Sequence, residues 1–396
     1  MVTRSESAGD MASPAKDAWH AENGDMPELY QKKGTLQPIA STALKRAKEV
    51  NSSEGSISTH YEFLMQAVLL VSATHLAYLH PSEAIYSQAS MVHLSKTLSL
   101  FRLALSENIT AWNVDALIAT SLLLVHHGWA SIDTLRNPSA DAKPLNSSKQ
   151  AKLDLSLDPL FSLCDGLRDI LLHAIIFINT NTTVFAAPAA YRPRNSLLRA
   201  VHDNNILNEL EIALSQSIGR IRNSPISPSR VLSSEVLLSH CSHHLMGTRR
   251  EDSQMDTTLP SDDEEDEEAL LDASSRLALI LAICKSRPKG IPPELVSHIT
   301  PITEDGRTLP PLADLARYVF SFPTRSSPRF IALVRRNDPG ALLILLFFYR
   351  AIPLLLPEHQ CWWLQDRTEF LEMAIERALK EEEKAMISPI LAFFTD

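Results

Sequence analysis

The sequence predicts an all-α fold, and three observations carry that reading. Apolar residues recur at helical spacing in segment after segment from His60 onward. Alternating apolar and polar runs bounded by hairpin turns are almost absent. Only 11 glycines occur in 396 residues, few for a turn-rich β fold.

The elements follow in chain order. Residues 1–58 are dominated by Ser, Glu, Lys and Gly and hold no sustained apolar period beyond a short run at Ala43–Val50, so a disordered polar tail is expected there. A single large helical domain is expected over 59–396. Its first helix contains AVLLVSATHLAYLH, Ala67–His80. Leu64, Val68, Val71 and His75 share one face and Met65, Leu69 and Leu76 a second, which predicts an interior helix wrapped by neighbours. Pro81-Ser82 breaks it; Ser82 is placed to cap a second helix through Leu105, and Thr110 to cap a third reaching about Trp129.

NPSADAKPLNSS, Asn137–Ser148, is polar and turn-rich, and a mobile loop is expected over 137–155. Helices are expected from Asp158 to Ile178 and from Ser196 to Arg222. SPISPS, Ser224–Ser229, and the stretch Gly247–Glu268 predict a second mobile loop over 224–268, whose acidic run DDEEDEE, Asp262–Glu268, repels itself. Further helical patterns lie at Ala269–Lys285, Leu312–Phe320, Arg329–Arg336, Gly340–Leu356 and Trp362–Lys384. Asp338-Pro339 forms a helix start, since Asp caps and Pro is favoured at the first helical position. In the last helix Leu364, Leu371, Ile375, Ala378 and Leu379 form the stripe expected to be buried, with Glu376 and Lys380 paired on the wet side.

The formal charge is −10, but the acidic run supplies seven of these negatives and leaves −3 for everything else. No basic field spans the domain, so direct, phosphate-driven DNA binding is disfavoured. Cys164, Cys241, Cys284 and Cys361 are scattered, which suits a reducing, intracellular compartment. The first residues lack the apolar core of a signal peptide. The apolar block Ala341–Tyr349 is interrupted by Arg350 and Pro353, so no membrane span is expected.

Catalytic signatures are missing. Neither phosphate-binding glycine loop occurs, nor G-x-S-x-G, nor H-E-x-x-H, so no nucleotide site, catalytic residue or cofactor is expected. His240 and His244 stand one helical turn apart without a second ligand group, and read as a polar helix end; no metal site is expected. His126-His127 closes an apolar helix, where a histidine complements the helix dipole. His75 has Val71, Ser72, Tyr78 and Leu79 as helical neighbours, without a carboxylate to orient it, and reads as core. Phe347, Phe348, Tyr349, Trp362 and Trp363 concentrate aromatic bulk that either fills a core or walls a cavity for a bulky apolar ligand. Ser261, directly before the acids, is a candidate phosphorylation site for an acid-directed kinase.

Four blocks taken together resemble a known family: YEFLMQAVLLVSATHLAYLHP, FRLALSENITAWNVDALIATSLLLVHHGWAS, DPLFSLCDGLRDIL, and the long stretch from FIALVRRNDPGALLILLFFYR to DRTEFLEMAIERAL. In order and spacing they resemble the C-terminal regulatory domain of fungal zinc-cluster transcription factors, most of all the sterol uptake control protein type. The resemblance covers most of residues 60–396. It implies an all-helical, dimerising domain that in some members binds a sterol in an apolar pocket and controls nuclear import or activation. It thereby implies a ligand-lining role for Phe347, Phe348, Trp362 and Trp363. Such factors begin with six cysteines around two zinc ions, whereas the first cysteine here is Cys164.

The expectation is therefore a nuclear transcription regulator, shuttling with the cytoplasm, without its own zinc cluster. It would control a metabolic or biosynthetic gene set. Its expected partners are transcription factors or co-regulators in a homo- or heterodimer, a sterol or other lipid, and DNA only indirectly. The alternatives are an accessory or enzyme-like protein of secondary metabolism on the same scaffold, and an inhibitor-like subunit that dimerises with a full-length factor.

Overall fold

The computed structural model describes residues 61–132, 135, 153–201, 204–222, 262–286, 310–356 and 361–379. Those residues form thirteen α-helices and one 3-10 turn, with no strand among them, so the fold is all-α. The helices are α1 Glu62–Leu79, α2 Ala84–Leu105, α3 Val114–Ala130, α4 Pro159–His173, α5 Ile175–Asn179, α6 Ala186–Ala190 and α7 Pro193–Ala200. After them come α8 Asn204–Arg222, α9 Asp262–Ser286, α10 Leu312–Arg325, α11 Pro328–Arg335, α12 Pro339–Leu355 and α13 Trp362–Ala378. The 1–58 tail, the His240–His244 run and Ser261 lie outside the described residues, as does Lys380.

Helix starts follow local chemistry where the capping residue is unambiguous. Asp338 accepts from Gly340 N at 2.9 Å and Ala341 N at 3.1 Å, and Asp158 accepts from Leu160 N at 3.0 Å, each just before a proline at the first helical position. Two expected caps are displaced. Glu83, not Ser82, precedes α2 and makes no side-chain cap bond. The third helix opens after Asn113, whose Oδ1 accepts from Thr110 N at 2.8 Å, so Thr110 closes the preceding turn instead of capping. The expected helix to Ile178 divides at Ala174, and the 196–222 pattern divides into α7 and α8. At the 98° bend between α11 and α12, Asn337 takes a φ of 54°, a left-handed conformation that asparagine tolerates better than most residues.

Helix α12 is the axis of the larger core. An all-round apolar helix must be enclosed, and Gly340 through Tyr349 are all buried, with α8, α9, α11 and α13 packed around them. A second apolar cluster joins α1, α2 and the first part of α3. Helix α3 belongs to both clusters, since Leu117 and Ile118 face the smaller one and Val125 and Trp129 the larger. Gly128 lets α4 come close: a Cβ there would stand 2.9 Å from Leu163 Cδ1.

Three sequence expectations are corrected. The acidic run is not a loop: Asp262–Glu268 forms the first turns of α9, where carboxylates favour the positive helix end. Asp266 is buried and bonds to Arg222 at 3.4 Å, to Arg336 at 3.3 Å and to Arg329, so guanidiniums from two other helices and the α11 end neutralise it. The loop expected to end at residue 155 is anchored before that point, because Leu153 O accepts from Asn337 Nδ2 at 3.1 Å, and Leu155 then opens the 3-10 turn and is buried in the core. On α13, Leu364, Leu371, Ile375 and Leu379 are buried as expected, while Ala378 is exposed.

Candidate functional site

Helix α1 is not wrapped on every side. Phe63, Leu64, Ala67 and Leu70 face inward against α2 and α3. On the opposite side Met65, Leu69, Ser72, Leu76 and Leu79 are all exposed, and their spacing of four, three, four and three residues forms one straight stripe. Ser72 Oγ donates to Val68 O at 2.8 Å, so its polar group is satisfied within the helix and leaves a small, flat site mid-stripe. Among the described residues, ten of the twenty exposed large apolar side chains lie on α1 and α2, which concentrates uncovered apolar area on this hairpin. By length and composition alone, Glu62–Leu79 would also suffice to cross a membrane, with a mean hydropathy of 1.4.

The flank of α1 rests on the aromatic residues singled out in the sequence. The His75 ring stacks on Trp362 with centroids 4.5 Å apart, and Tyr78 lies 5.1 Å from the same indole. Trp363 packs on His126 at 4.2 Å and on Phe320 at 5.9 Å; Phe320 meets Trp129 at 5.8 Å, and Trp129 meets Phe348 at 6.3 Å. The rings thus form a ladder from the surface at His75 down to the core at Phe348. Trp362 and Trp363 are half-buried rungs.

Phe347 and Phe348 do not line a ligand pocket in this structure. Both are 0% exposed, so neither offers area to solvent or to a cavity large enough for water, and Phe348 stacks on Phe322 at 4.3 Å. Core packing of an all-apolar helix explains the position. The sequence brought out Trp362 and Trp363 through their bulk but not Phe320, Trp129 or Arg367, which complete the arrangement from distant helices.

Two imidazoles in the ladder have lowered pKa values. Burial, then the neighbouring His127 and His75, lower His126 to a pKa of about 3, so it carries no charge to offer the helix dipole near physiological pH. Partial burial lowers His75 as well. Among the described residues neither ring is hydrogen-bonded to a carboxylate, and no group of three or more His, Cys, Asp or Glu is placed to hold a metal ion. His127 Nδ1 and Thr74 Oγ1 lie 3.1 Å apart, and Thr74 and Ser90 hydroxyls 2.9 Å apart, which ties α1, α2 and α3 together.

Beneath the ladder a buried ion pair locks the helices that carry it. Arg367 of α13 donates to Gly128 O at 3.0 Å, to Ser131 O at 3.2 Å and to Asp158, closing the C-terminal carbonyls of α3 and the N-terminus of α4 at once. Burial alone would lower the guanidinium pKa; the Asp158 carboxylate more than offsets it and holds it above its ordinary value. No family model, curated protein or solved structure matches this chain.

Proposed function

We propose that this chain is a helical regulatory module of transcription, of the kind that fungal zinc-cluster factors carry, and that it works by holding an α-helix of a partner protein along the outward stripe of α1. The resemblance of the four sequence blocks supports the transcriptional role, and the stripe supports the docking of a partner helix. A water-exposed helix ordinarily turns charged and polar groups outward, whereas α1 turns out Met65, Leu69, Leu76 and Leu79 at the spacing a second helix would fill. The partner chemistry follows: an amphipathic helix with apolar residues three and four apart, docked as in helix-in-groove recognition. These 396 residues hold four cysteines where a zinc cluster needs six, so contact of this segment with DNA would run through such a partner. No apolar ligand is included, because Phe347 and Phe348 are packed.

The full chain, fused to a heterologous DNA-binding domain in a fungal reporter strain, tests this together with crosslinking of the unfused chain. Leu69→Glu and Leu76→Glu add charge at positions 39% and 40% exposed, and the Tm of each variant is compared with the parent to separate loss of docking from loss of the fold. Reporter output and the crosslinked partner should be lost together. A tethered chain without effect on the reporter, or an effect and partner that survive both substitutions, overturns the reading. Flotation with lipid vesicles in place of a protein partner would assign the stripe to a membrane surface instead.

A further inference from the structure

A second feature lies away from α1, where the start of α7, the middle of α9 and the end of α10 enclose a concavity. It measures about 100 Å³ and opens to solvent on one side. Arg192, Arg194, Arg276 and Arg325 line it, with Tyr318 and Ser321. Four guanidiniums converging in a chain of net charge −10 are an unusual concentration, and little balances them. Asp272 engages Arg276 at 3.0 Å. Asp314, a further carboxylate on α10, accepts from Tyr191 Oη at 2.6 Å. Arg192 donates to Ala189 O at 2.7 Å. Among the described residues Arg194 and Arg325 have neither a carboxylate nor a hydrogen-bond acceptor.

Like charges held together with few counter-charges destabilise one another, and at Arg325 this adds to the larger cost of burial. Loss of solvent at the wall, then Arg276 and Arg192, lower its pKa although the residue stands exposed at the rim. The N-terminus of α7, opening at Pro193, adds a positive helix end. Ser321 Oγ donates to Tyr318 O at 2.9 Å and Tyr318 Oη to Arg276 O at 3.4 Å, so the donors left to face the opening are guanidinium N–H groups. The volume is below the roughly 300–1,000 Å³ of pockets that enclose whole small molecules, and suits one compact anionic group. Planar guanidiniums present paired N–H donors that match a phosphate better than a point charge does.

We propose that this concavity binds a phosphate group, free or as a monoester, through Arg194, Arg276 and Arg325. The site is separate from the α1 stripe and stands or falls without it. Titration of the full chain with inorganic phosphate and with glycerol phosphate, at fixed ionic strength, tests it by calorimetry and by Tm. Saturable binding is expected, with Kd raised roughly tenfold or more by Arg194→Gln and by Arg325→Gln. Without phosphate both variants should melt no lower than the parent, because each removes repulsion, and this separates loss of the ligand from loss of the fold. Arg102→Gln on α2 should leave Kd unchanged. Binding of glycerol phosphate assigns the site to esters, and binding of inorganic phosphate alone assigns it to the free anion. No saturable binding of either, an equal response to chloride, or an unchanged Kd in both variants overturns the proposal.

Discussion

At the residue scale, the environment of a side chain decides its chemistry more than its identity does. His126 shows it. The folded-state pKa of about 3 lies below the ordinary value of 6.5, so the unfolded state binds the extra proton between those values. Stability is therefore fully present above about pH 6.5 and is lost as pH falls toward 3, with a slope of about 1.4 kcal/mol per pH unit from this group. Urea unfolding from pH 7 to pH 4 should show His126→Gln losing stability less steeply than the parent; parallel slopes would show that the ring is solvated. Aromatic truncation separates core from rim in the same way. Phe348→Ala should cost about 3–5 kcal/mol, and Trp363→Ala less, because the indole is only half-buried. The sequence could single out both rings by composition, but no local signal distinguishes the wholly enclosed one from the rung.

At the element scale, helix starts are legible where a capping Asp adjoins a proline, and not at Ser82 or Thr110, where the neighbouring Glu83 and Asn113 take the position. Asp338-Pro339 and Asp158-Pro159 start helices because cap and proline sit side by side. The acidic run departs from its local pattern because its deciding contacts are distant. Seven adjacent carboxylates repel in a loop, yet Arg222, Arg329 and Arg336, brought from other parts of the chain, meet at Asp266, and no window of sequence around residue 266 contains them. The consequence is measurable. Asp266→Ala should destabilise by about 1–3 kcal/mol by stranding partly buried guanidiniums, while Asp263→Ala, exposed on the same helix, should lie within about 0.5 kcal/mol of the parent. Equal effects at the two positions would mean that the run acts only through its summed charge. Gly128 belongs to this scale too, since the close approach of α3 and α4 depends on the absence of a Cβ there.

At the scale of the whole molecule, periodicity predicts that a helix is apolar on two faces but not what covers the second. That is why α1 was expected inside and instead turns a stripe of leucines outward. Nor could spacing join Arg367 to Asp158, 209 residues apart, although that pair ties together helices that serve both apolar clusters. Arg367 reaches the C-terminal end of α3, past the point where its membership passes from the smaller cluster to the larger, and α3 with α4 is common to both. Breaking a buried pair by removing one partner leaves an uncompensated charge and typically costs about 3–5 kcal/mol. Because the pair stands at the shared helices, that cost should fall on the entire domain. Arg367→Met is expected to lower Tm in a single transition, with helix loss followed by far-ultraviolet circular dichroism coinciding with the change in tryptophan fluorescence, to which the buried Trp129 and the half-buried Trp362 and Trp363 contribute among five tryptophans. Fluorescence changing well before helix loss, in the parent or the variant, would show that the ladder region opens alone and that the ion pair holds only its own neighbourhood.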